Sequence, residues 1–374
     1  MLIVLTMVAS FTPTPLYSLY QDEWGISDVQ VSLAFAAYPA GVISVLLFLG
    51  GISDRIGRRN TLLIGLAVLL VALLALALAP SYPVLVLGRL IHGFGSGLAT
   101  SAAAAALMES HPRGLASGAF VNTACIGAGV AAGPLLSGAL AEITSAPLLF
   151  PYVAIGVTLL IPAVLLMRVP RPPRAAGRVR VMQPIGVPRA LWLRFSVAAA
   201  AIVTANLCMG VYGSFGSRIA DTVGWDSQGR TGWLVSGMLF FLALAQFAGR
   251  RLVHTTSMGV GALGAASGWV IAAFGAHAES LPALLLGSLL IGIGAGLCLL
   301  GSAGFIGHIS PPGRRAEIYS AYLLVAFTTL GGTALVAGPL NERHSIEFVL
   351  SCAAAVTITT TAWILPQTLR PRPR

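Results

Sequence analysis

An arginine and a histidine lie inside one of the apolar segments of this chain. Arg89 follows Pro83 by about 9 Å along a helix, which places it well within a membrane-length run. His92 comes three residues later and shares a helix face with it. A charge at that depth costs about 3 kcal/mol or more, so the pair indicates anion binding or proton transfer. The alternatives are an arginine that extends to the headgroups and a histidine that is satisfied in the core.

A polar loop between two apolar runs carries a second constellation. Its residues are Gly50, Asp54, Arg55, Gly57, Arg58 and Arg59. Glycines permit a tight turn, and arginines can bind carboxylates or anionic headgroups. A carboxylate can also accept hydrogen bonds from the N-terminus of a neighbouring helix. A connector that only carries positive charge would explain the arginines but neither Asp54 nor the glycine spacing.

A third pattern places small residues around a proline in another apolar run. Gly129, Gly133 and Gly138 flank Pro134, with Ser137 beside the last glycine. Small residues four apart let helices touch, and a proline inside a helix removes a backbone hydrogen bond and bends it. The alternative is a packing surface without a specific role.

Composition requires that these elements sit in lipid. The chain has 374 residues, of which 56% are hydrophobic and 9% charged, against about 25% charged in soluble domains. All 22 basic residues are arginine, and nearly all of them lie in loops or the tail, so membrane topology explains them better than nucleic acid does. No nucleophile–base pair, metal cluster or phosphate loop is visible, so neither an enzyme nor a metal site is expected. The cysteines, inside apolar runs at unrelated spacings, are interpreted as core residues.

Runs of about 20 apolar residues predict twelve membrane spans. We place them at 1–20, 28–50, 60–79, 82–108, 114–141, 147–167, 190–215, 231–249, 255–277, 282–308, 316–340 and 345–365. Ser27 and Gln30 predict a capping box at the start of span 2. The chain shows no basic region or cleavage signal before span 1, so we expect this span to be retained. Span 1 starts at Met1 without a polar lead, so either the chain begins abruptly or an N-terminal tail is missing.

The placement of the arginines predicts how the chain is oriented in the membrane. With the N-terminus inside, seventeen arginines lie in cytoplasmic loops and the tail, and three lie in outer loops. A linker with five prolines and several arginines, 169–189, separates six spans from six. We therefore predict bundles at 1–168 and 190–367 and a basic cytoplasmic tail at 368–374. Residues 83–98 align without gaps on residues 282–297, which supports two repeated halves.

These motifs resemble those of the major facilitator superfamily across essentially the whole chain. The loop matches G-x-x-x-D-R-x-G-R-R. The span-4 segment Arg89-x-x-His92-Gly93 resembles R-x-x-Q-G-x-G, with histidine in the glutamine place. The span-5 segment resembles the antiporter motif G-x-x-x-G-P-x-x-G-G. The resemblance implies an all-α membrane fold of two six-helix bundles. It also implies a cytoplasmic latch in which Arg58 pairs with Glu109 and Asp54 faces the start of span 11.

The resemblance further implies a secondary transporter, with efflux by proton antiport suggested by the span-5 motif. No Asp or Glu lies deep in a span, so His92 is the titratable candidate and Arg89 would tune it or hold an anion. Polar residues that line the cavity or bridge helices are Thr14, Tyr17, Tyr38, Asn122, Asn206, Gln246, Tyr319 and Tyr322.

The expected cargo is a small hydrophobic or amphipathic compound such as a drug, antibiotic or metabolite. The expected energy source is the proton gradient, with no cofactor. We expect a monomer in the plasma membrane, in contact with lipid and not with nucleic acid, with both termini cytoplasmic. One alternative is a transporter of a sugar or an organic anion with Arg89 as the clamp. The other is a receptor on the same fold, which would require a signalling appendage that this sequence does not contain.

Overall fold

A computed structural model describes residues 1–112, 115–169 and 185–369 of the chain. Within these residues the protein is helical and has no strand. The α-helices are Leu2–Phe11 (α1), Tyr17–Trp24 (α2), Asp28–Leu49 (α3), Ile52–Ile56 (α4), Arg58–Ala77 (α5), Tyr82–Ser110 (α6), Leu115–Ile143 (α7), Phe150–Met167 (α8), Trp192–Asp221 (α9), Gln228–Ala248 (α10), His254–His277 (α11), Leu281–Ile309 (α12), Arg315–Arg343 (α13) and Ile346–Leu369 (α14).

Twelve of the helical segments in the described residues are long and apolar enough to cross a membrane. The prediction of twelve spans is confirmed. The predicted capping box is also present, because the Ser27 hydroxyl accepts from the Gln30 backbone and the Gln30 side chain accepts from the Ser27 backbone. This reciprocal pair satisfies two of the N–H groups that a helix start leaves free.

The first span is not one continuous α-helix. Helix α1 ends at Phe11, a 3-10 turn follows at Thr14–Leu16, and α2 begins at Tyr17 and continues to Trp24. Pro13 and Pro15 lie at this break, and each lacks the N–H that an α-helix needs for its ladder. The predicted span 1–20 therefore missed both the break and the final turn of α2.

Two other features of the helices were not predicted. The polar loop contains the short helix α4, and Gly57 follows it with φ of 89°, a backbone conformation that glycine adopts without steric cost. Helix α9 extends to Asp221, well past the predicted end at residue 215, and its regular geometry is interrupted at Phe215.

The chain divides into two compact units. One contains Met1–Gln183 with Ser227–Ser236, and the other contains Pro184–Asp226 with Gly237–Arg374. Helix α10 thus begins in the first unit and continues in the second. Most of the predicted linker, 170–184, and the end of the predicted tail, 370–374, lie outside the described residues.

The internal repeat is visible in the helices themselves. Helices α6 and α12 each have 29 residues. Gly93 on α6 lies against the backbone of Tyr38, and Gly292 on α12 lies against the backbone of Met238. The aligned glycines therefore serve the same purpose in each unit, which is a close approach between two helix backbones.

Candidate functional site

The Arg89 guanidinium is buried inside the first unit, with 2% of the residue exposed. Its Nε donates to the Ala34 carbonyl and its Nη1 to the Ser10 carbonyl, both at 3.4 Å. The guanidinium carbon lies 4.9 Å from the centre of the Tyr38 ring. These contacts come from α1 and α3, so the arginine is held inside the helix bundle and does not extend to the headgroups.

His92 contacts the same guanidinium. Its Nδ1 lies 3.4 Å from Arg89 Nη1, and the residue is fully buried. Guanidinium has only donors, so Nδ1 must accept, which leaves the hydrogen of the neutral imidazole on Nε2. Among the described residues, no group forms a hydrogen bond with the buried Nε2 atom. Tyr17 lies close enough to Arg89 to interact with its charge.

A chain of hydroxyl groups continues from this pair. Tyr38 packs edge-on against His92 with ring centres 5.5 Å apart and donates its hydroxyl hydrogen to Ser10 Oγ at 3.0 Å. The Ser10 hydroxyl lies 3.3 Å from Ser96 Oγ. The sequence analysis missed Ser10 and Ser96. Ser96 lies four residues, about one helical turn, beyond His92, which could have indicated it.

No carboxylate balances Arg89 among the residues that the structure describes. Arg58 forms salt bridges with Asp54 and Glu109, near the other end of α6. A buried cation without an acid is costly in a membrane, because the surroundings cannot replace its hydration. The site therefore has an uncompensated positive charge that an anion or a proton-dependent rearrangement could use.

Close helix packing fixes the geometry of this site. A Cβ on Gly93 would lie 2.8 Å from the Tyr38 carbonyl carbon, and one on Gly41 would lie 2.7 Å from the Phe94 nitrogen. Both distances are shorter than real Cβ contacts, so only glycine permits α3 and α6 to approach this closely. The predicted residue Gly93 thus positions His92 against Tyr38.

The polar loop forms the contact that the resemblance implied. Arg58 Nη1 lies 2.5 Å from Asp54, and Arg58 Nη2 lies 2.7 Å from Glu109 at the end of α6. Arg58 is half-buried between these two carboxylates. The position of Asp54 at the start of span 11 stays a prediction, because that helix belongs to the other unit.

The remaining loop residues have distinct places. Arg59 donates from Nε to the Leu166 carbonyl at 3.1 Å and from Nη2 to the Met167 carbonyl at 2.8 Å. It therefore caps the C-terminus of α8, where the last carbonyls have no partner within the helix. Arg55 is exposed, and Gly50 follows the last residue of α3.

The glycines of the span-5 motif face two different neighbouring helices. Gly129 and Gly133 on α7 face the Val4 and Val8 carbonyls of α1, and Gly138 faces the Gln228 carbonyl of α10. Helix α7 remains continuous across Pro134.

The other polar candidates do not gather at Arg89. Tyr322 bonds the Ser302 hydroxyl at 2.8 Å, and Asn206 donates to the Ile202 carbonyl of its own helix at 3.1 Å. The buried oxygen of Asn122 has no hydrogen-bond partner among the described residues. Thr14 is buried, Gln246 is half-buried, and Tyr319 is exposed, with its ring centre 5.7 Å from that of Tyr322. Tyr322 bonds a residue of a second helix, whereas Asn206 bonds its own helix. The sequence pattern alone could not distinguish these two roles.

The comparisons with known proteins identify the family. The profile of the Major Facilitator Superfamily matches residues 1–333. The chain belongs to this superfamily. It is a membrane transporter and not an enzyme.

Solved structures of superfamily members share its fold. The human organic anion transporter MFSD10 has a TM-score of 0.68 and 16% identity, with 97% of this chain and 96% of that chain covered. A bacterial homologue of the human lysosomal transporter Spinster, inward-facing and unoccupied, also has a TM-score of 0.68 and 16% identity, with coverages of 98% and 93%. At this identity the likeness establishes the fold alone.

Curated relatives match over shorter segments. Multidrug resistance protein MdtL of Klebsiella pneumoniae (strain 342) is 38% identical over 76 residues, which are 20% of this chain and 19% of MdtL. The human vesicular acetylcholine transporter is 30% identical over 187 residues, 48% of this chain and 34% of that protein. The matches thus span between a fifth and a third of these relatives' own lengths.

Proposed function

We propose that this transporter exports a small hydrophobic or amphipathic compound in exchange for protons. The observation that carries the proposal is the buried contact between Arg89 Nη1 and His92 Nδ1 at 3.4 Å, without a carboxylate in the described surroundings. A proton-driven carrier needs a group that binds and releases protons within the membrane. In this chain His92 is the group with an ordinary pKa near neutrality at that depth.

The geometry provides a coupling step. A proton can bind His92 only at Nδ1, because Nε2 already carries the hydrogen. Nδ1 is the atom that accepts from Arg89, so protonation and the Arg89 contact exclude one another. The two cations would also repel at this distance in a medium of low dielectric. Proton binding at His92 would therefore release Arg89, and proton loss would draw it back, which links protonation to a structural change.

Three observations support efflux and the class of cargo. The span-5 glycines, typical of antiporters by resemblance, make close contacts with α1 and α10. A segment of the chain is similar to multidrug resistance protein MdtL. The spans carry few charges among their apolar residues, which suits a cargo that is itself largely apolar.

Proton release in vesicles tests the coupling. The purified protein, reconstituted with an internal pH dye, should move protons when candidate drugs or metabolites are added. His92→Gln keeps an acceptor for Arg89 but cannot bind the proton, so proton movement should be lost. His277→Gln, an exposed histidine at the end of α11, is the matched control and should behave as wild type. Full proton-coupled transport by His92→Gln would refute the proposal.

Growth assays test the efflux direction. Cells that make the protein should tolerate at least one compound of a drug and metabolite panel better than cells without it. Arg89→Ala should remove that tolerance, because the guanidinium is the charged group of the site. An unchanged profile across the panel, with protein present in the membrane, would count against efflux.

Transport of an organic anion is the second candidate function. Arg89 favours it, because a buried guanidinium without a carboxylate partner is suited to clamp an anionic group. Uptake of a labelled carboxylate into vesicles, lost in Arg89→Ala and without cargo-dependent proton release, would favour this function over antiport. Sugar transport is the weaker form of this alternative, because a neutral sugar needs no buried cation.

The same proposal includes the location, orientation and energy source of the transporter. We infer a monomer in the plasma membrane that uses the proton gradient. The arginine distribution places both termini in the cytoplasm. Reporter fusions to each terminus in intact cells would test the orientation. A reporter that is active only outside the cytoplasm would contradict it.

A further inference from the structure

The first turn of α10 is capped in part by a residue from another helix. The first N–H groups of any helix lack partners within the helix. In α10 the Arg230 N–H donates to the Ser227 hydroxyl at 3.3 Å. The Gly229 N–H donates to the carboxylate of Glu142, at the end of α7, at 3.0 Å.

Helix α3 gives the comparison, because two residues of its own N-terminal turn form a capping box. Ser27 and Gln30 exchange side-chain and backbone hydrogen bonds. In α10, Ser227 occupies the place of Ser27, and Arg230 stands in the place of Gln30. An arginine side chain has no acceptor, so it cannot complete the box. Glu142 supplies an acceptor for a different donor of the same turn, the Gly229 N–H, and its negative charge also suits the positive end of the helix dipole.

Glycines bring the two helices into contact beside this carboxylate. A Cβ on Gly232 would lie 2.6 Å from the Pro134 carbonyl oxygen, and one on Gly138 would meet the Gln228 carbonyl. Gly229 is buried, whereas Glu142 is exposed. We call this α7–α10 contact, made of Pro134, Gly138, Glu142, Gly229 and Gly232, the seam. The seam lies near the C-terminal end of α7.

We propose that Glu142 is a positioning residue that clasps the first turn of α10 to α7 and holds the seam closed. It lies outside the glycine motif and makes no contact with Arg89 or His92. One exposed carboxylate thereby ties the start of α10 to the end of α7. The proposal rests on the proposed function only where opening of the seam accompanies transport.

Cysteine accessibility tests the clasp without any cargo. Ser236 lies seven residues after Gly229, on the same face of α10, and is buried. In Ser236→Cys, the rate of modification by N-ethylmaleimide above the native cysteines reports opening of the seam. Glu142→Ala should raise that rate by about tenfold, because a hydrogen bond to a charged acceptor is lost. Glu142→Gln, which keeps an acceptor, should give a smaller rise. Glu23→Ala, another exposed acid of the first unit, is the matched control and should give none.

A second variant separates the clasp from simple helix capping. Arg230→Gln recreates the arrangement of Ser27 and Gln30, so it can cap α10 without α7. Added to Glu142→Ala, it should leave the modification rate high, because the tie between the helices is still missing. Recovery of the wild-type rate would overturn the proposal and make Glu142 a cap only. A rate in Glu142→Ala within about twofold of wild type would overturn it as well.

Transport is measured separately on the same variants. Failure to transport any compound in wild type would count against the proposed function and leave the accessibility result unaffected. Should Glu142→Ala not fold, the rate in Glu142→Gln decides. A rate equal to that of Glu23→Ala then overturns the clasp.

Discussion

Gly93→Ala should separate α3 from α6 and disturb the Arg89–His92 site. The new Cβ would lie 2.8 Å from the Tyr38 carbonyl carbon, whereas ordinary contacts begin at 3.4 Å, so the backbones must move by at least about 0.6 Å. Overpacking of this kind costs about 1–3 kcal/mol. For a unit of this size that corresponds to a fall in Tm of about 2–12 °C.

Thermal unfolding of the purified protein measures the fall, and transport in vesicles measures the effect on the site. Gly332→Ala in α13 is the matched control, because no atom lies within 4 Å of the added Cβ. It should keep the wild-type Tm or raise it, since alanine favours the helix over glycine. Equal Tm values for Gly93→Ala and Gly332→Ala would refute the packing argument.

Three further predictions test contacts elsewhere. Tyr212→Phe and Ser288→Ala each remove the buried 2.7 Å hydrogen bond between α9 and α12 and should each lower Tm by about 2–4 °C. The double variant should fall hardly further, and additive losses would contradict the shared bond. Arg59→Ala should speed amide exchange in the last turn of α8, measured by mass spectrometry, because the Leu166 and Met167 carbonyls each lose a guanidinium donor. Unchanged exchange there would count against the cap. Glu109→Gln should lower Tm by less than about 2 °C, because its pair with Arg58 is exposed to solvent; a larger fall would contradict this estimate.

The spans were predictable because their cause is local. Uninterrupted apolar runs of membrane length define them, and the twelve predicted spans are confirmed. The helix breaks were harder to place. Pro13 and Pro15 interrupt the first span, whereas Pro134 does not interrupt α7. A proline inside a helix is tolerated when neighbouring groups satisfy the carbonyl that it leaves free, and this depends on packing.

The candidate site was predictable only along one helix. Helical spacing placed Arg89 and His92 on one face, and the structure gives their contact at 3.4 Å. The carbonyls of Ser10 and Ala34 that hold the guanidinium come from α1 and α3. Nothing in the sequence marks a backbone carbonyl as the partner of a distant arginine, because every residue has one.

By itself, the sequence determined that this chain spans a membrane twelve times, repeats its fourth span in its tenth and carries one buried arginine beside a histidine. These properties follow from composition and helical periodicity, which act within a single segment. Only the tertiary structure decided what surrounds those residues. It showed that no described carboxylate compensates Arg89, and that Glu142 of α7 accepts a hydrogen bond from the first turn of α10. Such pairings depend on which helix faces come together, and glycine contacts far apart in sequence fix that choice.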